Sequence, residues 1–218
     1  MISITQKSIL TLLLLLSFVG VKAQLEGGVK IGVSTYDYVN PDFSNLTLFD
    51  DRNIPEYNLG IENVNFGFHG GLYGRLTVWK LFLQLEALAN SASVDYKVTD
   101  LTSQVDDIIL REQYTNLDVP VQLGFKLSKW FNIHGGINGH LPISTISELR
   151  MIDGYDITPQ DFTYSFLGGI GFDIWKLRFD TRFELNSSLF GSEINYKGNT
   201  YVFADSDNRI IASIAYSF

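Results

Sequence analysis

The fold this sequence predicts is all-β: a transmembrane antiparallel up-and-down β-barrel of eight strands, with short periplasmic turns and four long extracellular loops. Three observations carry it. Apolar and polar residues alternate with period two in eight separate segments. The connections between those segments alternate between short and long, and charge is sorted between segments and long connections.

The last segment shows the alternation most plainly. Ile210, Ala212, Ile214, Tyr216 and Phe218 share one face of an extended strand, opposite Arg209, Ser213 and Ser217. Its terminal Phe218 is expected at the aromatic girdle where a closing barrel strand meets the interface. Seven further strands are expected upstream. Leu25 to about Thr35 sets Val29, Ile31 and Val33 against Lys30 and Ser34, and Val64 to Leu76 sets Phe66, Phe68 and Leu72 against His69, Tyr73 and Arg75. In Leu81 to about Ser93, Leu83 and Leu85 oppose Gln84 and Glu86; after Asn90 the apolar phase flips to Val94, Tyr96 and Val98, which predicts a bulge or the exit from a membrane.

The clearest run is Asn116 to Leu127, where Leu117, Val119, Val121, Leu123 and Phe125 alternate with polar residues. Pro120 cannot donate to a ladder, so a local bulge is expected there. Asn132 to Leu141, Phe162 to Ile174 and Leu177 to Leu185 complete the set. A ten-stranded ring is the alternative, since the first long connection has room for another hairpin.

Lys7 precedes an apolar run from Ile9 to Gly20, followed by Val21-Lys22-Ala23. A basic start, a short apolar stretch and a small residue predict a cleaved secretory signal over residues 1–23, leaving residues 24–218 as one barrel domain. The run is shorter than the roughly 20 residues a spanning helix needs. Gln24 in place of cysteine argues against lipid attachment at the cut. The chain has no cysteine at all, so no disulfide or thiolate metal site is available.

Each short connection carries one of the three tryptophans beside a lysine: Trp79-Lys80, Lys129-Trp130 and Trp175-Lys176. An aromatic body at headgroup depth and a snorkelling ammonium suit interfacial anchoring, so these six residues and Phe218 are the expected membrane-interface anchors. The long connections, about 36–63, 94–115, 142–161 and 186–208, hold 18 acidic and 5 basic residues. Besides the turn lysines, the mature strands hold Glu26, Glu86, Asp118, Asp173, Asp180 and Glu184 against Lys30, Arg75, Lys126, Arg178, Arg182 and Arg209. All twelve fall on the inward parity. Unpaired buried charge is very costly, so this balance predicts ion pairs filling the lumen, structural or pore-lining.

The signal ending Lys22-Ala23-Gln24, the strand Asn116-Leu117-Asp118-Val119-Pro120-Val121-Gln122-Leu123, the run Phe166-Leu167-Gly168-Gly169-Ile170-Gly171-Phe172 and the C-terminal Tyr216-Ser217-Phe218 carry a resemblance. With these, the whole mature chain resembles the small outer-membrane β-barrel family of Bacteroidota, of the PorT-like type. The resemblance implies a barrel in the cell outer membrane and brings no catalytic pattern with it.

The leading functional expectation is a non-enzymatic outer-membrane barrel with a charge-filled lumen, whose acidic loops serve structural or interaction roles. Asp50-Asp51 and Asp106-Asp107 are the densest acidic pairs there. The partners expected are outer-membrane lipid, the barrel-assembly machinery through the C-terminal strand, and divalent cations or a protein at the acidic loops. A narrow passive channel for ions or small solutes is the second reading, with Arg75, Glu86, Arg178, Arg182 and Glu184 as lining. A third is a barrel enzyme of lipase or protease type, for which His140 with Ser144 or Ser147 and Glu148 is the one candidate Ser-His-acid set. A soluble lipocalin-like barrel would invert the two faces. No cofactor is expected, and the mature net charge of −10 without a basic stripe argues against nucleic acid.

Overall fold

Period-two alternation fixes which face of each strand meets which solvent, and the computed structural model closes those strands into a ring. It describes residues 23–37, 46–50, 52–102, 106–156, 162–185, 193–202 and 208–218. The expected signal segment up to Lys22, and Asp51, lie outside these. The strands are β1 (Ala23–Asp37), β2 (Leu46–Phe49), β3 (Pro55–Val64), β4 (Gly67–Val78), β5 (Leu81–Asp100), β6 (Ile108–Lys126) and β7 (Phe131–Ser147). A 3-10 helix (Glu148–Met151) then leads to β8 (Tyr155–Asp156), β9 (Thr163–Ile174), β10 (Leu177–Leu185), β11 (Glu193–Tyr196), β12 (Asn199–Val202) and β13 (Asn208–Ser217).

The ring runs β1-β4-β5-β6-β7-β9-β10-β13 and closes antiparallel, with Gly28 opposite Ser217 and Asp37 opposite Asn208. Eight strands form it. The hairpin foreseen in the first long connection exists as β2–β3, but it rises above the ring instead of joining it, because β3 takes over the edge of β5 where β4 leaves off.

Polarity is inverted relative to a soluble barrel. Leu25, Phe68, Leu123 and Phe166 face outward and are exposed, whereas Lys30, Arg182, Arg209 and Glu184 are buried inside. An apolar belt of this extent belongs in hydrocarbon, so the lipocalin-like arrangement is excluded.

The phase flip after Asn90 resolves as an exit from the membrane. The register of β5 against β6 is constant from Leu81–Phe125 to Val98–Ile108, so β5 carries no bulge on that side. Its even-numbered residues stay inward throughout; only their chemistry changes, from Gln84, Glu86 and Asn90 to Ala92, Val94, Tyr96 and Val98. The register shift sits on the partner strand instead, between Ile61 and Asn63 of β3. Pro120 also makes no bulge. Pairing of β5 with β6 skips Glu86 and Ala87 opposite Pro120 and Val119 without changing register, and the shift between β6 and β7 lies at Thr115/Asn116.

Above this level the described residues of the connections include further regular structure. β5, β6 and β7 continue well beyond the belt, so much of the expected 94–115 loop is strand. A β11–β12 hairpin pairs with β8 through Asn195–Asp156 and Tyr196–Tyr155. Together these segments enclose a second core of Leu48, Leu59, Val94, Leu149 and Tyr196, all at most 1% exposed. Burial of a large apolar side chain contributes about 1.5–3 kcal/mol, enough for this cap to hold its own shape.

At the opposite end the turns are tight. Val78 pairs with Leu81 across Trp79-Lys80, and Ile174 with Leu177 across Trp175-Lys176. Trp79 and Trp175 have φ of 57° and 56°, the left-handed value that two-residue hairpins require at their first loop position. Glycine usually supplies it, so these two aromatics are held at a conformational cost. The third turn is longer, residues 127–130, with the Ser128 hydroxyl accepting from the Trp130 and Phe131 amides.

If cap and barrel are separate cores, Leu149→Ala should cost about 2–4 kcal/mol locally. Added protease should then cut the cap faster while the heat-shifted gel migration of the barrel stays unchanged. Loss of the folded-barrel band in step with cap cleavage would show one cooperative unit instead.

Candidate functional site

The lumen concentrates the charged chemistry of the strands, because inward parity leaves long polar side chains no other volume. Three tiers of contacts fill it. At the turn end, Arg75 Nη1 lies 3.0 Å from Asp173 Oδ2, which Lys126 approaches at 3.9 Å. Arg178 pairs with Glu26 and lies 3.6 Å from Asp173. In the middle, Arg182 Nη2 donates to both Glu86 oxygens at 2.9 Å and its Nε to Asp180 at 2.7 Å. Lys30 Nζ stands 2.9 Å from Glu86 and 2.5 Å from Asp180. In the upper tier, Arg209 bonds Glu184 at 2.6 Å and Asp118 at 3.0 Å.

Each tier contains a pair that crosses the barrel. β4 and β9, β5 and β10, and β6 and β13 are each four places apart in the ring of eight. Arg75–Asp173, Arg182–Glu86 and Arg209–Asp118 therefore span the lumen from opposite walls. Small inward residues make room for them: Ala215 lies between Lys30 and Arg178 in register, and so separates two long cations by a methyl group. Gly124 provides the seat for the Phe82 ring, whose face the Arg75 guanidinium covers at 4.1 Å; a Cβ at 124 would stand 2.0 Å from that ring.

Sequence reasoning located the twelve charges and missed their neutral partners. Gln122 Nε2 donates to Glu86 at 3.0 Å, Gln84 also bonds it, and Asn138 reaches Glu184 at 3.3 Å. Inward parity is the signal that finds these residues too, since Gln84, Gln122 and Asn138 alternate in phase with the charges.

The His140, Ser144 or Ser147 and Glu148 set does not assemble. Ser144 faces outward, Ser147 Oγ accepts from the Leu149 amide, and Glu148 accepts from the Arg111 amide. His140 instead points into the upper tier, with Nδ1 2.8 Å from Asp118 and Nε2 2.8 Å from Glu184 and 3.0 Å from Ser165 Oγ. That is a serine, a histidine and an acid in contact, but the Ser165 hydroxyl is turned to Glu184. All four side chains are buried, so no substrate reaches them. His69 rests on Gly32 and bonds Ser213 at 2.9 Å, and His134 meets Asn132 at 3.3 Å.

The expected anchors all stand at the turn end. Trp79, Trp130, Trp175 and Phe218 are strongly exposed. Lys80 lies over the rings of Trp79 and Phe125, and Lys176 over Tyr216.

In the cap, ion pairs tie connections together. Lys197 reaches Glu56 at 2.7 Å and the Tyr196 hydroxyl donates to the same carboxylate at 2.6 Å, joining β3 to the β11–β12 hairpin. The Lys197 and Tyr196 hydrogen bonds hold the Glu56 carboxyl below its ordinary value. Arg111 does the same for Asp95, and Lys97 for Asp107, through side-chain hydrogen bonds. Burial pushes the Tyr155 phenol upward, as does Glu112, whose carboxylate it meets at 3.2 Å. Asp50 closes a local turn onto Arg52 and Ile54. Among the described residues no three His, Cys, Asp or Glu side chains gather to hold a metal ion.

Removing one end of a strut leaves buried charge without its partner. Arg209→Met should therefore lower unfolding stability in urea by about 3–5 kcal/mol. Replacing Asp118 by Asn and Glu184 by Gln in the same variant should recover most of that loss. A single variant as stable as the parent would remove the strut from the account of stability. The cap carboxylates predict a pH effect as well. Their folded pKa values are depressed, so their contribution is fully present above the ordinary carboxylate value, about 4. It is lost as pH falls through the folded values below that. Amide protection of β3 and β11 should hold from pH 7 to about 4 and decline below it; a decline beginning near pH 6 would point to another group.

Similarity to known proteins agrees with this architecture. The chain matches the model of the "Outer membrane protein beta-barrel domain" family over residues 9–218. Among solved structures it is similar to the outer membrane protein OprG from Pseudomonas aeruginosa, with a TM-score of 0.51 at 14% identity. That alignment covers 90% of this chain and 95% of that one, and it speaks for the fold alone. No protein of curated function matches the sequence. Because the family model spans nearly the whole chain, this protein belongs to the outer membrane protein beta-barrel domain family and is an outer-membrane barrel.

Proposed function

We propose that this barrel is a closed, non-enzymatic scaffold that displays its folded cap outside the cell. The observation that carries the reading is the pair of seals in series along one lumen. Three arginine–carboxylate struts cross the membrane section, and an apolar core fills the mouth above them. A barrel of eight strands is only wide enough for its side chains to fill, so such seals leave little bore for solute. The acidic cap surface is then the part available to a protein partner or to divalent cations. On the same reading, export proceeds by cleavage before Gln24, the closing strand β13 serves the assembly machinery, and the chain is of the PorT-like type found in Bacteroidota.

The second reading, a narrow passive channel, is favoured by one observation. Asn90 Oδ1, Gln122 Oε1, Asn132 Nδ2 and Asn138 Oδ1 line the lumen without hydrogen-bond partners within the protein. Buried polar atoms of this kind are ordinarily met by water, which would mark a wet path beside the struts.

Planar-bilayer recording of the folded, heat-modifiable protein separates the two. The closed scaffold should give no discrete openings, and Arg182→Ala should stay silent because the cap still seals the mouth. Ohmic openings in the parent protein that shift on Arg182→Ala would establish the channel and overturn the scaffold.

A further inference from the structure

The outward wall of the barrel is hollowed near the turn end. A groove of about 590 Å3 lies there across β4, β5, β6 and β7, walled by Leu76, Leu83, Leu123, Phe125 and Ile133, with Gly135 on its floor. The hollow comes from the sequence: Gly135 stands where its outward neighbours on β7, Ile133 and Ile137, carry branched side chains, and its register partner on β9 is Gly168. The volume is in the range of small-molecule sites, roughly 300–1,000 Å3, and the walls are hydrocarbon apart from His134.

Charge is added at one end only. The four strands form two hairpins, whose turns carry Trp79-Lys80 and Lys129-Trp130. Lys80 Nζ sits 5.9 Å from the ring centre of Phe125, a wall of the groove, and 5.5 Å from that of Trp79. The Lys126 amide donates to the Lys80 carbonyl at 2.7 Å, so the first turn is bound to the second hairpin. The carboxylates borne by the membrane sections of these strands, Glu86 and Asp118, are buried in the lumen and spent on its ion pairs. The mouth is therefore cationic with aromatic flanks, and the interior is apolar except for His134.

We propose that this groove binds one acyl chain of an anionic glycerophospholipid of the periplasmic leaflet, with the phosphate held between Lys80 and Lys129. The proposal rests on the turns lying at that leaflet's interface. Hydrocarbon alone would accept any lipid; the two lysines at the open end select the anionic headgroup. The remaining turn, Trp175-Lys176, lies outside the groove and provides an internal control.

The test uses the full mature barrel in phosphatidylcholine vesicles that contain a minor fraction of phosphatidylglycerol with brominated acyl chains, which quench nearby tryptophan. One variant keeps Trp79 alone (Trp130→Phe, Trp175→Phe) and another keeps Trp175 alone (Trp79→Phe, Trp130→Phe). Quenching of Trp79 should report phosphatidylglycerol enriched about tenfold over its bulk fraction, whereas Trp175 should follow the bulk. Lys80→Gln with Lys129→Gln should abolish the enrichment, and so should filling the floor with Gly135→Leu, folding being checked by gel shift. Equal quenching of the two tryptophans, the same enrichment with brominated phosphatidylcholine, or enrichment that survives the lysine changes would overturn the site. Quenching of neither tryptophan by either lipid would overturn the placement of the turns at the leaflet along with it.

Discussion

A charged side chain inside a narrow barrel has one route to a partner, across the bore, and the rest of this structure depends on that constraint. Arginine at one wall and a carboxylate at the opposite wall occur at three heights. An ion pair in a medium of low polarity is tolerable only when geometry is good and the remaining lone pairs are met. Gln84 and Gln122 on Glu86, and Ser165 and Asn138 on Glu184, meet them. The struts also fix shape, because each one ties together strands that no backbone ladder joins directly.

The small residues follow from the struts. Long cations crossing a bore of this size need neighbours that do not fill it, so Ala215 lies in register between Lys30 and Arg178. Gly32 and Gly124 seat His69 and Phe82 where any Cβ would collide. Change in lumen chemistry then tracks change in surroundings along single strands. On β5 the outward residues are Leu81, Leu83 and Leu85 beside hydrocarbon and Asp95 and Lys97 beyond it, while the inward ones pass from Glu86 to Val94. One strand thus swaps the polarity of both faces at the membrane boundary without altering its pairing.

That swap explains what could be read from the sequence. The ring, its strand parity and the inward place of the twelve charges follow from period two alone, since hydrogen-bonded strands leave each residue only two directions. The cap was not legible by the same rule. Val94, Tyr96 and Val98 look like a phase error when hydrocarbon is assumed outside, and the 94–115 segment then reads as a loop. Pro120 misled in a related way: a missing N–H predicts a bulge, but the β5–β6 ladder spans the gap by dropping pairs and keeping register. The His140 contacts were out of reach because Asp118, Ser165 and Glu184 lie on three other strands, and their heights depend on barrel stagger. Sequence proximity had offered Ser144, Ser147 and Glu148 instead, all carried past the boundary by the continuing strand.

The tiers differ in how their charge closes. The middle tier sets Lys30 and Arg182 against Glu86 and Asp180 and is neutral by itself. The turn-end tier holds Arg75, Arg178 and Lys126 against Glu26 and Asp173, and its surplus cation, Lys126, is the one that keeps some contact with the outside. The upper tier has Asp118 and Glu184 facing Arg209, with His140 between the two carboxylates. When both ring nitrogens donate, His140 is the second cation and this tier also closes. It lies directly beneath the apolar cap, where an unbalanced charge would be most expensive. The polar plug thus meets the hydrophobic seal at this level, and the two seals act as one continuous column.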